Sequence, residues 1–313
     1  MSDRPEASRK GFNRRDFLGA SAVVAAAGIA GPALAQGQAP VQPPPAAPAP
    51  LPTTKAVIVA RQPGGILTIG LDRPEAQNRL DPAMLLAIGK AFYQLEHDDE
   101  LRVAVLYAKG PNFVAGLDVP AFNAAISAGQ VPPKDPDFLQ PLNLLSPLRT
   151  KPLIVAVQGA VRTVGHELML AGDIRIAARD TVFAQSELLS GGIMPFGGST
   201  IRFPREAGWA NAMRYILTAD EWSAEEAYRL GLVQAVTEPG DQLDRALEFA
   251  RKIAAAPPLA VRATLVSARQ ALASEDAAFA AIAPAAAKIR ASSDYQEFQR
   301  AVQEKRPPAY RGL

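Results

Sequence analysis

Cysteine is absent from the 313 residues, and histidine occurs only twice, at His97 and His166. The first absence excludes disulfides, thiolate metal sites and a cysteine nucleophile. The second, with the two histidines far apart in the chain, argues against a histidine-built metal site, and no metal is expected. Also missing are G-x-G-x-x-G, a P-loop, G-x-S-x-G and any solenoid period. Dinucleotide, nucleotide-phosphate and serine-hydrolase readings therefore lack their usual carriers. No charge of one sign dominates. Lys plus Arg number 33 and Asp plus Glu 31, and setting aside the first 35 residues, with five bases and three acids, leaves 28 of each. The remainder thus has no basic excess for a nucleic acid. An apolar fraction of 48% over this length is enough for a sizeable globular core.

What is present falls into four stretches. Residues 1–35 read as a targeting segment: Asn13-Arg14-Arg15-Asp16-Phe17-Leu18 opens an Ala/Gly-rich run from Gly19 to about Ala30, which ends at the small-residue site Ala33-Leu34-Ala35. This resembles a twin-arginine signal, and the resemblance implies recognition by the Tat translocase and a periplasmic location, the alternative being a cytoplasmic protein with a non-functional leader. The run is too short and too rich in alanine for stable membrane insertion. Residues 36–54 form a Pro/Ala-rich linker, extended and solvated, with the fold beginning near Thr54. An α/β core over 55–240 and a helical region over 241–313 follow.

Within the core, the apolar runs 56–61 and 66–71 flank Pro63-Gly64-Gly65 and predict a hairpin. Asp81 and Pro82 open a helix on which Met84, Leu85, Ile88, Phe92 and Leu95 share a face. Near-continuous apolar strands at 103–107, 153–157 and 174–177 belong inside a parallel sheet. A short helix is expected from about Gly165. Residues 206–217 and 223–230 read as helices, the second with a Ser223/Glu226 capping box, and 243–303 as almost entirely helical. Residues 123–150, rich in proline, read as a loop over one face.

Three segments bear chemistry. Ala115-Gly116-Leu117-Asp118 lies just after the strand at 103–107, where Gly116 permits a bend that leaves a backbone N–H unpaired. Val164 and Gly165 lie at a helix start, whose free N–H groups favour developing negative charge. Glu167 follows in an apolar setting, and Glu187 lies twenty residues on, ahead of Pro195-Phe196-Gly197-Gly198. Taken singly, Gly116 serves a turn, Glu167 a helix dipole and Glu187 a loop. Together, two amide donors and two carboxylates can polarise a thioester carbonyl, stabilise an enolate-like charge and manage the protons of a water. His166 is either a packing or surface residue or a proton relay. His97 reads as a solvated loop residue, and Trp209 and Trp222 as packing or interface residues.

From about Lys55 to Leu313 the chain resembles the crotonase, or enoyl-CoA hydratase/isomerase, family. The resemblance rests on Arg73-Pro74-Glu75-Ala76-Gln77-Asn78, Ala115-Gly116-Leu117-Asp118, the Gly/Glu segment 159–173, Ala171-Gly172-Asp173-Ile174-Arg175-Ile176-Ala177, Pro195-Phe196-Gly197-Gly198, Ser223 to Val233 and Glu304 to Tyr310. It implies a spiral of β-β-α units with a C-terminal helical oligomerisation region that builds a homotrimer or a hexamer. It further implies that the N–H groups of Leu117 and Val164 form the oxyanion hole, that Glu167 and Glu187 are catalytic, and that Ala115, Gly116, Asp118 and Gly165 line the substrate. The implied reaction is hydration of a 2-enoyl-CoA thioester, or its reverse, with CoA as part of the substrate and no separate cofactor. Double-bond isomerisation, CoA-independent hydrolysis of a β-diketone C–C bond, and non-catalytic acyl-ligand binding are the alternatives. The chain departs from the family pattern where Thr163-Val164-Gly165 replaces a glycine run, where Ser186 replaces a proline, and at Val119-Pro120, where a lysine often stands.

Overall fold

The computed structural model describes residues 50–131, 133, 135–272 and 275–313. The twin-arginine motif, its apolar run and most of the linker lie outside the described residues.

Six strands form the main sheet in the order β1-β2-β3-β4-β6-β9. They are β1 (Val57–Gln62), β2 (Ile66–Leu71), β3 (Val103–Ala108), β4 (Leu153–Val157), β6 (Ile174–Ala178) and β9 (Ala235–Thr237). Only the β1–β2 pair is antiparallel. The hairpin expected at Pro63-Gly64-Gly65 forms, with Gly64 and Gly65 both at positive φ as so tight a reversal requires. The apolar runs predicted as buried strands are buried on both faces. Ala104 and Leu106 of β3 and Leu153, Val155 and Val157 of β4 enter one apolar cluster, while Val103, Val105, Ile154 and Ala156 enter another. The period of two thus sends alternate side chains into two cores, which is why both strands are almost wholly apolar.

A second sheet, β5 (Ala160–Arg162), β7 (Val182–Ala184) and β8 (Trp222–Ser223), lies in the order β5-β7-β8. The chain alternates between the sheets: β4 then β5 then α3 (Val164–Leu170), and β6 then β7 then α4 (Glu187–Ser190). This alternation is the β-β-α unit of the expected spiral. Strands β5 and β7 were not legible as separate elements, being only three residues each.

Helix α1 (Pro82–His97) is capped by Asp81, whose carboxylate accepts from the Met84 N–H at 2.8 Å, and it buries Met84, Ile88, Phe92 and Leu95. His97 is its exposed last residue, stacked on Tyr93, rather than part of a loop. Helix α2 (Val119–Ser127) occupies the start of the expected 123–150 loop. The described residues of the rest of that segment are irregular, yet they bury Leu139 and Leu142 in the core.

The single helix expected over 206–217 is two, α5 (Ser199–Ala207) and α6 (Trp209–Thr218), separated by Gly208 at φ 83° and ψ 153°. Helical periodicity cannot reveal one residue in a non-helical conformation. Helix α7 (Ala224–Arg229) keeps half of its capping box. Ser223 accepts from the Glu226 N–H, while the Glu226 carboxylate turns to Tyr215 and Arg229. Trp222 is buried, and Trp209 is 72% exposed.

Four helices complete the chain: α8 (Gln242–Ala254), α9 (Pro258–Ala271), α10 (Glu275–Ala291) and α11 (Ser293–Glu304). Helix α8 covers one face of the main sheet through Ala246, Ala250 and Ala254, small residues that let a helix approach the strands closely. Helix α9 is tied to the core by Arg262 on Glu96 at 2.8 Å and by Arg269 on Asp173 at 2.8 Å. Ordered packing starts slightly before Thr54, since Leu51 rests against the main core and Thr53 hydrogen-bonds the backbone of Val59.

Candidate active site

The site forms where the chain leaves β5. The Thr163 N–H donates to Ala184 O at 2.9 Å, extending the β5–β7 pairing, and Thr163 then adopts φ 51° and ψ −117° to turn into α3. A β-branched residue at positive φ is strained, and such residues cost about 1–3 kcal/mol. The turn makes Val164 the first residue of α3, so its N–H has no partner inside the helix. Opposite lies the segment after β3. Val114 accepts from the Arg162 N–H and donates to Ala160 O, which fastens this segment alongside β5. Gly116, at φ 120°, brings its Cα so near Thr163 that an added Cβ would lie 3.3 Å from the threonine hydroxyl. Hydrogen bonds from Leu80 N to Gly116 O and from Asp118 N to Leu80 O bracket Leu117. Among the described residues, neither the Leu117 nor the Val164 N–H donates to a protein acceptor. The two expected oxyanion donors are therefore free, on adjacent segments.

Glu167 is 1% exposed, on the first turn of α3. Its Oε1 accepts from the N–H groups of Gly197 at 2.7 Å and Ser199 at 3.2 Å, the latter opening α5. A Cβ at 197 would sit 2.1 Å from Glu167 Oε2, so any residue larger than glycine there displaces the carboxylate. Burial raises the Glu167 pKa to about 7, the two amide donors oppose the rise, and the charge of nearby Glu187 adds to it. Glu187, first residue of α4 and 7% exposed, is also raised by burial. Its Oε1 accepts from Gln185 Nε2 at 2.7 Å, and its buried Oε2 has no partner among the described residues. The structure thus brings the two expected acids into one electrostatically coupled site.

The other expected residues divide. Ala115 is buried and donates to Gln77 O. Gly165 packs against Val114, whose carbonyl oxygen would lie 2.5 Å from an added Cβ. Asp118 caps α2 through the Ala121 N–H and pairs with Arg73 at 3.0 Å, an interaction that lowers its pKa. Its carboxylate is engaged in holding the loop in shape. His166 is fully buried, with Nδ1 2.6 Å from Gln185 Oε1 and its ring edge-on to Phe183, Phe203 and Trp222. Burial lowers its pKa to about 4, and its Nε2 has no partner among the described residues, so the ring is a buried packing residue hydrogen-bonded through Nδ1. Gly197 was legible only as part of the Pro195–Gly198 turn and Gln185 and Ser199 had no expected role, since no local pattern shows which backbone amide or side chain will meet one of the two carboxylates.

Residues 61–312 match the family described as Enoyl-CoA hydratase/isomerase. The chain is 34% identical over 256 residues to enoyl-CoA hydratase EchA19 of Mycobacterium tuberculosis, covering 79% of this chain and 93% of that protein. It is 38% identical over 203 residues to carnitinyl-CoA dehydratase of Salmonella arizonae, covering 64% and 75%. A crystal structure of a probable enoyl-CoA hydratase/isomerase from Mycobacterium abscessus superposes with a TM-score of 0.78 at 41% identity, covering 82% of this chain and 99% of that one. With the match spanning both carboxylates and both free amides, this chain belongs to the enoyl-CoA hydratase/isomerase family.

Proposed function

We propose that the protein adds water across the 2,3 double bond of a 2-enoyl-CoA thioester, giving the 3-hydroxyacyl-CoA, or runs the reverse dehydration. The observation that carries this reading is the coupled pair Glu167 and Glu187, of which Glu167 titrates near neutrality. Near pH 7 such a pair can hold one proton between its members, so one carboxyl group can protonate C2 while the other takes a proton from the water attacking C3. The N–H groups of Leu117 and Val164 would receive the thioester oxygen as it gains enolate charge, an interaction worth about 3 kcal/mol per donor. The reaction is redox-neutral and its charge is met by amides, so CoA as part of the substrate completes the chemistry. Sequence relatives named as a hydratase and as a dehydratase support both directions. The buried, neutral His166 offers no support for a β-diketone hydrolase that would employ it.

The test is incubation of purified protein with crotonyl-CoA and longer 2-enoyl-CoA thioesters while the conjugated enoyl absorbance is followed. Its decay, abolished in Glu187→Gln, is the expected result. Persistent absorbance across all chain lengths overturns the reading, and binding without decay identifies an acyl-ligand receptor.

We further propose Tat-dependent export to the periplasm and assembly as a homotrimer or hexamer. The leader motif supports the first. Exposed Leu189, Ile193, Met194, Phe196, Ile201 and Trp209, each at least half exposed, support the second, because apolar side chains in such numbers invite burial against another subunit. Cell fractionation and sedimentation equilibrium test them; a cytoplasmic pool and a monomer are the contrary outcomes.

A further inference from the structure

The residue preceding Glu167 has no role in the proton transfers described above, yet it occupies one end of a buried polar chain. His166 Nδ1 lies 2.6 Å from Gln185 Oε1, and Ser199 Oγ donates to the same oxygen at 2.8 Å. At the other end of that amide, Gln185 Nε2 donates to Glu187 Oε1 at 2.7 Å. All four side chains are buried. We propose that His166 and Ser199 are positioning residues that fix the Gln185 amide with its nitrogen facing Glu187, and so hold the Glu187 carboxylate with Oε2 presented to substrate. The inference rests on the hydratase reading for its kinetic consequence, and on hydrogen-bond geometry alone for its structural content.

An amide oxygen has two lone pairs, and both are taken here by donors. An amide flipped by 180° would set its oxygen against the carboxylate oxygen of Glu187 and its NH2 group against the donor hydroxyl of Ser199. Two acceptors would then face each other in a buried site, where an unmade hydrogen bond costs most. For the histidine to donate from Nδ1 it must be the Nδ1–H tautomer. The surroundings enforce this choice, since Nε2 is buried without a partner among the described residues, and the ring packs between Phe203 and Trp222 with centroids 5.1 Å from each. The aromatic walls thereby select the tautomer, the tautomer orients the amide, and the amide orients the carboxylate.

Ser199 extends the device to the other acid. Its backbone N–H holds Glu167 Oε1 while its hydroxyl holds the Gln185 oxygen, so one residue at the start of α5 sets both carboxylates in register. Glu187 keeps one oxygen free because Gln185 occupies the other. That leaves Oε2 as the atom available for proton transfer.

The experiment pairs kinetics with a readout that needs no turnover. In the full-length protein, 15N NMR of the His166 ring should show Nδ1 protonated and Nε2 bare across the pH 6–9 range; an Nε2–H tautomer overturns the proposal whatever the enzyme's activity. With crotonyl-CoA, His166→Leu is expected to lower kcat by about 10- to 100-fold, the size of one lost hydrogen bond in a charge-bearing network, with KM little changed. His166→Asn, whose amide nitrogen can stand near the place of Nδ1, should recover most of the loss. Ser199→Ala should show a smaller kcat defect in the same direction, and it serves if His166→Leu fails to fold. Wild-type kcat in folded His166→Leu, or no recovery in folded His166→Asn, overturns the proposal. Absence of turnover in the unaltered protein would instead overturn the hydratase reading, and the tautomer measurement would still decide this one.

Discussion

The short helix α3 has a carboxylate near each end, and the fold treats them oppositely. Glu167, on its first turn, is held by two backbone amides, has no cation hydrogen-bonded to it among the described residues, feels only the more distant charge of Arg202, and is raised to about 7. Asp173, three residues past its last turn, meets Arg149 at 2.9 Å and Arg269 at 2.8 Å, accepts from the Leu153 N–H at 2.8 Å, and is lowered. Glu167 is buried and Asp173 half-buried, and burial opposes the charged form of both, so burial alone would raise each and does not explain the opposite signs. The partners do: guanidinium groups stabilise the ionised form, whereas neutral amides only partly offset desolvation. A charge that ties helix α9 and the Arg149 loop to the sheet is fully neutralised. A charge that must gain and lose a proton is left near its switching point, at a cost in stability.

Four substitutions would break or sharpen this contrast. The largest effect is expected from Glu187→Gln and Glu167→Gln, each lowering kcat for enoyl-CoA hydration by about 10²- to 10⁴-fold, as measured by loss of enoyl absorbance. Asp173→Asn should leave activity assays limited by folding, because it strands Arg149, which is 2% exposed. Denaturant unfolding should show a loss of about 3 kcal/mol or more. An undiminished midpoint would mean that the remaining backbone contacts of Arg149 to Lys151 and Ala171 suffice.

Glu167→Gln should also separate function from stability. Because the folded pKa of Glu167 lies above its unfolded value, the native state binds the extra proton between pH 4.5 and about 7. Wild-type stability contributed by this group is therefore fully present below pH 4.5 and is lost as pH rises through 7. The glutamine variant escapes that loss, and urea titrations should find it up to about 3 kcal/mol more stable than wild type at pH 8 and equal to it near pH 4. His166 acts with the opposite sign. Its folded pKa, near 4, is depressed, so its contribution is present above pH 6.5 and lost as pH falls toward 4. The smallest effect concerns the turn between the two donor segments: Thr163→Gly should stabilise by about 1 kcal/mol, relief of positive-φ strain exceeding the entropy cost of glycine. A lowered melting temperature would show that contacts of the threonine side chain outweigh the strain.

Much of this was legible in the chain. The double-faced strands 103–108, 153–157 and 174–178, the Asp81 cap and the Gly64-Gly65 reversal follow from period-two burial and local backbone preference, both of which are written in neighbouring residues. Glu167 stood out because a carboxylate amid apolar residues demands an explanation, and Glu187 because the family resemblance implies a second acid there. Other features were not legible. The break at Gly208 interrupts a continuous helical pattern, and strands β5 and β7 are too short to show a period. The turn of Glu226 away from its capping box depends on a tyrosine eleven residues earlier.

The sequence by itself determined the longer strands and most of the helices, and it supplied two acids with the two turns that free the amides of Leu117 and Val164. These are consequences of side-chain pattern and backbone freedom over a few residues. Tertiary structure alone decided that Glu167, among the described residues, would accept from backbone amides where Asp173 pairs with two guanidinium groups, that Ser199 would touch the environments of both glutamates, and that His166 would meet an amide rather than solvent. A carboxylate's proton affinity is set by what lies within a few ångströms of it, and the hydrogen-bond partners of Glu167 and Asp173 arrive from twenty to ninety-six positions away, brought together only when the two sheets and α5 pack.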